Sequence, residues 1–292
     1  MRAIKKIISS LFALFGYRIT KITRGSILVN EVIATEKTEE PEPKTAQDIE
    51  FEFISLLPGF LDRDAYELFC KLGQIFQKKT PEILEVGIFC GKSFLALGLA
   101  FKSPSRLVGV DPFYEDFKDS PALEDEGEYL EQASEYLTGK QRLALLEKTL
   151  ANSKNFRADL PAKFTILEMT QDDFFKTKKV SEKFDVVHID GEHTFQAVYD
   201  FFDQVDTTLN TSSIVIVDDF LNPGFPEISE AVHIHPTYKK EVFPVFYGFN
   251  KAVFLYKPVT AQVKKFSSQL SKAYRSEGRA VRPLVDGSVT VQ

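Results

Sequence analysis

From Pro81 onward, short apolar runs alternate with stretches in which apolar residues recur every three or four positions. The runs cover residues 83–86, 107–110, 164–168, 184–189 and 214–217. Nearly continuous apolar runs fit strands buried on both faces of a sheet. The intervening stretches predict helices over 92–101, 128–150, 195–209 and 227–233. Strand-then-helix alternation implies parallel strands covered by helices on both faces. Two further runs, 242–247 and 252–256, flank Gly248-Phe-Asn250. They read as a hairpin that brings an antiparallel strand into the sheet. The expected fold is therefore α/β: a doubly wound, mostly parallel seven-stranded sheet with an antiparallel C-terminal hairpin strand.

The flanking segments follow other patterns. Residues 59–76 carry Tyr66, Leu68, Phe69, Leu72 and Phe76 at helical spacing and predict a helix ahead of the first strand. Residues 31–52 include Glu-Lys-Thr-Glu-Glu-Pro-Glu-Pro-Lys and read as an acidic linker. Residues 1–30 begin with a basic, then apolar stretch, too short to span a bilayer and followed by no Ala-x-Ala-like cleavage site. A basic amphipathic helix fits it, either docked on the domain or held weakly at an anionic membrane surface by Lys5, Lys6, Arg18 and Lys21. Residues 53–258 form the α/β domain. Residues 259–292 are expected to be helical over 263–274 and disordered from Arg279 onward.

Composition narrows the function. The net charge of −6 argues against a protein that binds nucleic acid over its whole surface. With 27 Phe and no Trp, the core is expected to be rich in Phe. The two cysteines, Cys70 and Cys90, form no CxxC pair, so neither a thiolate zinc site nor a disulfide framework is expected. A reducing, cytoplasmic setting follows, peripheral to the membrane if the N-terminal helix attaches there. A homo-oligomer is compatible with these features.

The segment Glu85-Val-Gly87-Ile-Phe-Cys-Gly91-Lys-Ser93 joins the first strand to the next helix. Glycine admits positive φ and close approach of a ligand, and a helix start offers free N–H groups to an anion. The spacing is neither G-x-G-x-x-G nor a phosphate loop. A tight helix cap is the structural alternative. Leu107-Val-Gly-Val-Asp111 places an acid at the carboxyl end of the second strand, the edge where open α/β sheets bind ligands. Such an acid can accept both hydroxyls of a ribose. Together these segments resemble the class I S-adenosylmethionine-dependent methyltransferases, whose fold is Rossmann-like. The resemblance, over roughly residues 80–258, implies that Glu85, Gly87, Gly91 and Ser93 form the first cofactor motif. It makes Asp111 the ribose acid and puts Thr170 and Asp172 near the adenine.

A second pattern is Phe184-Asp-Val-Val-His-Ile-Asp190-Gly-Glu-His193-Thr-Phe, followed downstream by Ile214-Val-Ile-Val-Asp218-Asp219-Phe. If these strands are neighbours, three carboxylates meet at one sheet edge. Their repulsion is relieved by a divalent cation, and oxygen donors suit Mg²⁺, Mn²⁺ or Ca²⁺. Such a metal can lower the pKa of a substrate hydroxyl, and a neutral His193 can take its proton. The alternative is that the aspartates only cap helices and loops. His188 is expected to be structural, and His233 and His235 to lie at a solvated helix end.

D-G-[DE]-H-[ST]-[FY] followed by D-D-[FY] is similar to a bacterial group that includes macrolide-sugar O-methyltransferases and cephalosporin-hydroxylase-like proteins. Asn222-Pro-Gly-Phe-Pro-Glu and Phe249-Asn-Lys251 extend the similarity. The resemblance implies metal binding by Asp190, Asp218 and Asp219, with His193 as base. The leading expectation is thus metal-assisted O-methylation of a sugar or other small hydroxylated acceptor. A metal-independent methyltransferase and a non-catalytic cofactor- or partner-binding domain are the alternatives. A nicotinamide dehydrogenase is disfavoured by the glycine spacing.

Overall fold

The computed structural model describes residues 44–114, 138–179 and 182–291. The basic segment 1–30, most of the linker and the acidic run 124–128 lie outside the described residues. Among the described residues, no helix is long and apolar enough to cross a membrane.

The sheet order is β3-β2-β1-β4-β5-β7-β6-β9-β8. Strands β1 (Glu82–Val86), β2 (Arg106–Asp111), β3 (Phe164–Glu168), β4 (Phe184–Ile189) and β5 (Leu209–Val217) pair in parallel. The chain leaves β1 toward β2 on one side and later returns to place β4 on its other side. That reversal opens a crevice at the carboxyl edge between β1 and β4. The hairpin β6 (Val242–Gly248) and β7 (Lys251–Tyr256) joins β5 in antiparallel fashion. Its turn residues, Phe249 and Asn250, have φ of 53° and 62°. Two successive left-handed residues match the twist that a two-residue hairpin demands.

Alternate residues of each strand enter two cores. Ile83, Leu107, Val186, Ile214 and Val253 face one layer, and Leu84, Val108, Val187, Val215 and Phe254 face the other. The first layer holds α3 (Lys92–Ala100), α9 (Thr260–Ser276) and α2 (Arg63–Ile75), whose Phe69 ring lies 5.3 Å from that of His188 on β4, while α1 (Ala46–Ile54) packs against α3. Ser93 through Ala100 of α3 are all buried. The second layer holds α5 (Gln171–Thr177), α6 (Phe195–Asp203), the short α7 (Val205–Thr208) and α8 (Pro226–Ile234). Helix α4 (Gly139–Asn152) packs Leu146 and Leu150 into the first core. Phe69, Phe94, Phe201, Phe202 and Phe254 are essentially inaccessible to solvent. Each contributes about 1.5–3 kcal/mol by burial.

Several expectations need correction. The linker ends earlier than residue 52, because Thr45 and Asp48 form a capping box: Asp48 N–H donates to Thr45 Oγ1 (3.2 Å) and Thr45 N–H to Asp48 Oδ2 (2.7 Å). That box starts α1. The 195–209 helix stops at Asp203, and Leu209 already begins β5. Helix α5 was not expected; Thr170 caps it, accepting from Asp173 N–H at 3.1 Å.

The end of the chain is ordered structure rather than a disordered tail. Helix α9 buries Phe266, Leu270 and Tyr274 at four-residue spacing. Beyond it, β8 (Val281–Pro283) and β9 (Val289–Val291) extend the sheet to nine strands among the described residues, not seven. Asp286 makes the tight turn between them, accepting from Ser288 N–H at 3.0 Å, and Val289 and Val291 are buried beside β6. Three-residue strands are too short for a period to show in sequence.

Candidate active site

At the end of β1 the chain turns through Gly87, whose φ is 81°. Its amide donates to Val110 O at 2.8 Å. A Cβ at this position would lie 2.1 Å from Asp190 O and 2.4 Å from Gly191 Cα. Glycine is required here because the backbone leaving β4 crosses directly over the turn. Gly91 also has φ of 81°, and a Cβ there would lie 2.3 Å from Leu146 Cδ1 of α4. Gly91 offers no side-chain cap to the first N–H groups of α3, and Lys92 and Ser93, which begin the helix, line the adjoining cavity.

Asp111, at the end of β2, holds this turn. Its Oδ2 accepts from Ile88 N–H (3.0 Å) and Phe89 N–H (2.8 Å), and its Oδ1 from Phe113 N–H (2.7 Å). Burial raises its pKa, against the pull of the three amides. A carboxylate has about four lone-pair positions, so most of its accepting capacity is already used.

The crevice is a cavity of about 460 Å³. Residues 58–62, between α1 and α2, close one side. The glycine turn, Asp111 and Tyr114 form the floor toward β2, with Arg142 and Thr170 beside them. Asp190, His193, Asp218 and Asp219 line the opposite end with Phe225, Phe249 and Lys251. Gly87, Ser93, Asp111 and Thr170 thus share one cavity with the aspartates and His193. Glu85, Gly91 and Asp172 do not line it. Glu85 is fully buried, with its Oε1 2.7 Å from His188 Nδ1, and Asp172 faces solvent beside Lys176.

The acidic end is built by two extra backbone rungs. Asp190 N–H donates to Val86 O (2.8 Å) and Asp218 N–H to Ile189 O (3.0 Å), which carries β1, β4 and β5 past their last formal pairs. Thr194 then caps α6 through Ala197 N–H (3.2 Å), setting His193 just ahead of the helix. His193 Nε2 lies 3.3 Å from Asp219 Oδ2 and 3.7 Å from Asp190 Oδ1. Its ring packs on Phe225, with centroids 4.6 Å apart. Asp190, His193 and Asp219 each offer a donor atom, all within 4.8 Å of one another.

Asp218 differs from the other two aspartates. Its Oδ2 accepts from the Lys251 ammonium and lies 3.4 Å from His188 Nε2. Burial raises its pKa, but Lys251 and His188 outweigh burial and hold the carboxyl well below the usual range. Burial, and then the charge of Asp218, push Asp190 up to about 6. Burial lowers the pKa of His188, yet its bonds to Asp218 and Glu85 overcome this and raise it to about 9. Asp219 has φ of 51° and is held by Asn222 Nδ2 (2.9 Å), by Asn250 Nδ2 and by its own N–H donating to Asp218 Oδ1 (2.8 Å).

The chain's own motifs were only partly sufficient to find these groups. Lys251, Asn250 and Asn222 lie in segments read as motif extensions, with no role attached. Lys251 could have been noticed as the one charged residue of Lys-Ala-Val-Phe-Leu-Tyr. His188 is fully buried and tied to two acids, Glu85 and Asp218. His235 is buried against Asp203 (3.0 Å) rather than solvated, while His233 is exposed. Cys70 and Cys90 are buried free thiols, and burial pushes Cys90 up to about 12.

Residues 84–220, from the glycine turn through both acidic strand ends, match the family model described as a methyltransferase domain. Over these residues the chain is similar to a methyltransferase domain. Solved structures similar to this chain include an O-methyltransferase from Bacillus cereus in complex with S-adenosylhomocysteine. It is 16% identical, with a TM-score of 0.46, over 75% of this chain and 94% of that one. Another is the O-methyltransferase TomG from Streptomyces achromogenes, in complex with S-adenosylmethionine. It is 14% identical, with a TM-score of 0.45, over 74% of this chain and 90% of that one. No curated protein matches the sequence.

Proposed function

We propose that the protein transfers the methyl group of S-adenosylmethionine to a hydroxyl of a small polar acceptor, a sugar among them, with a divalent cation at the acidic end of the cavity. The observation that carries this reading is the meeting of Asp190, His193 and Asp219 in the cavity that the glycine turn also lines. The donor set fits such a cation: two carboxylates converge beside the His193 imidazole, and Asp190 is pushed up to about 6 by burial and a neighbouring negative charge. Asp190 and Asp219 would hold it. A bound cation supplies Lewis acidity to an acceptor hydroxyl, and the sulfonium of the cofactor supplies an electrophilic methyl.

The chain's own residues do the rest. The open start of α3 receives the cofactor carboxylate, and Asp111 keeps the glycine turn in shape. His193 stands beside the cluster as the base for the hydroxyl proton. Phe225, Phe249 and residues 58–62 keep bulk water from the reacting atoms. We place this chemistry in the cytoplasm, a setting that the two free cysteines fit.

The test is a methyl-transfer assay read by mass spectrometry over hydroxylated sugars and other small alcohols, with and without EDTA. A product heavier by one methylene, lost in EDTA and in Asp219→Ala, is expected. A second reading, transfer without a metal, draws on the Lys251 ammonium, which already neutralises Asp218. Undiminished activity in EDTA would favour it.

A further inference from the structure

Lys251 is the first residue of β7 and is only 4% exposed, yet it lines the cavity. Its position follows from the sheet. Val217 of β5 pairs with Ala252 of antiparallel β7, so the next step of the register sets Asp218 against Lys251. The ammonium reaches Asp218 Oδ2 and lies 6.0 Å from the centre of the Phe69 ring. A buried ammonium is costly unless paired, and a hairpin needs no charge at that point to close. Its place beside the acidic cluster therefore calls for an electrostatic account.

Asp190, Asp218 and Asp219 bring three negative charges to this end of the cavity. Lys251 cancels the one on Asp218, and the remaining two match one divalent cation. Coulomb repulsion between a fixed ammonium and a dication a few ångströms away is strong where water is scarce. We infer that Lys251 is a built-in counter-charge: it withholds Asp218 from the cation, leaves Asp190 and Asp219 as the binding carboxylates, and keeps the site's affinity moderate. It is a positioning residue, acting through Asp218, whose Oδ1 in turn accepts from the Asp219 amide. This inference rests on the proposed cation site.

The experiment is calorimetric titration of the whole protein with Mn²⁺, with folding of each variant checked by circular dichroism. K251M removes the ammonium and leaves the Asp218 carboxylate with His188 as its remaining partner, so Mn²⁺ should bind about tenfold or more tighter than in the wild type. D218N leaves the ammonium without its counter-ion, and Mn²⁺ should bind about tenfold or more weaker. The double variant D218N/K251M loses both charges and should return to within about threefold of the wild type. It leaves no orphan charge, so it carries the test if K251M does not fold. Affinity in K251M equal to or below that of the wild type overturns the inference, as does a double variant as weak as D218N. If the wild type binds Mn²⁺ and K251M binds it no tighter, the counter-charge fails and the cation site stands. If neither binds, both fall.

Discussion

Asn250 and Asp219 both hold left-handed backbone, with φ of 62° and 51°, and the Asn250 amide donates to Asp219 Oδ1. The hydrogen bond ties the turn of the β6–β7 hairpin to the loop that follows β5, so the hairpin aims a carboxylate of the site. Asn250→Gly keeps the backbone conformation and loses the bond. Asn250→Ala loses the bond and adds left-handed strain. The expected cost in urea unfolding is about 1 kcal/mol for the glycine and about 2 kcal/mol for the alanine. Both variants should lose methyl transfer by about tenfold or more, because Asp219 Oδ1 keeps Asn222 alone and is less firmly aimed.

The C-terminal segment should contribute stability like any other strand pair. Arg279 bonds Asp64 and lies 3.7 Å from Glu67, both on α2, and its guanidinium packs 5.4 Å from the Phe249 ring centre, at the cavity wall. Arg279→Ala is expected to cost about 1 kcal/mol, since the ion pairs are partly exposed. Ending the chain at Gly278 should cost considerably more, because it uncovers the β6 edge and removes Val289 and Val291. Thermal unfolding of both variants checks the order.

Strands β1 to β5 and the β6–β7 hairpin are legible in the sequence because each is a nearly unbroken apolar run. Buried on both faces, such runs stand out from their surroundings. The short strands β8 and β9 are not legible, since their burial depends on β6, far away in sequence. Asp190, His193 and Asp219 can be found because each sits beside the end of an apolar run or at a helix start. The partner of Asp218 cannot be found that way. Whether Asp218 faces a cation or Lys251 depends on the register between β5 and β7, which no local pattern displays. Glu85 misleads for a similar reason: its motif points to the cofactor, while its side chain turns inward to His188.

Helix α1 should show a pH dependence of its own. Hydrogen bonds from Thr45 and from the Arg63 guanidinium hold the Asp48 carboxyl down at about 2, below its ordinary 3.8. A depressed folded-state pKa contributes stability that is present above pH 3.8 and is lost as the pH falls toward 2. Amide exchange read by mass spectrometry, corrected for intrinsic rates, should show residues 46–54 losing protection over that window. In Asp48→Asn the same segment should be less protected at neutral pH and show no such step.

The most direct measurement of the central claim is calorimetric titration of the full chain with S-adenosylmethionine, alongside Gly87→Ala. The wild type should bind one equivalent, and the variant, whose Cβ would meet the Asp190 carbonyl at 2.1 Å, should lose that binding. Absence of binding in the wild type at millimolar cofactor would contradict the account.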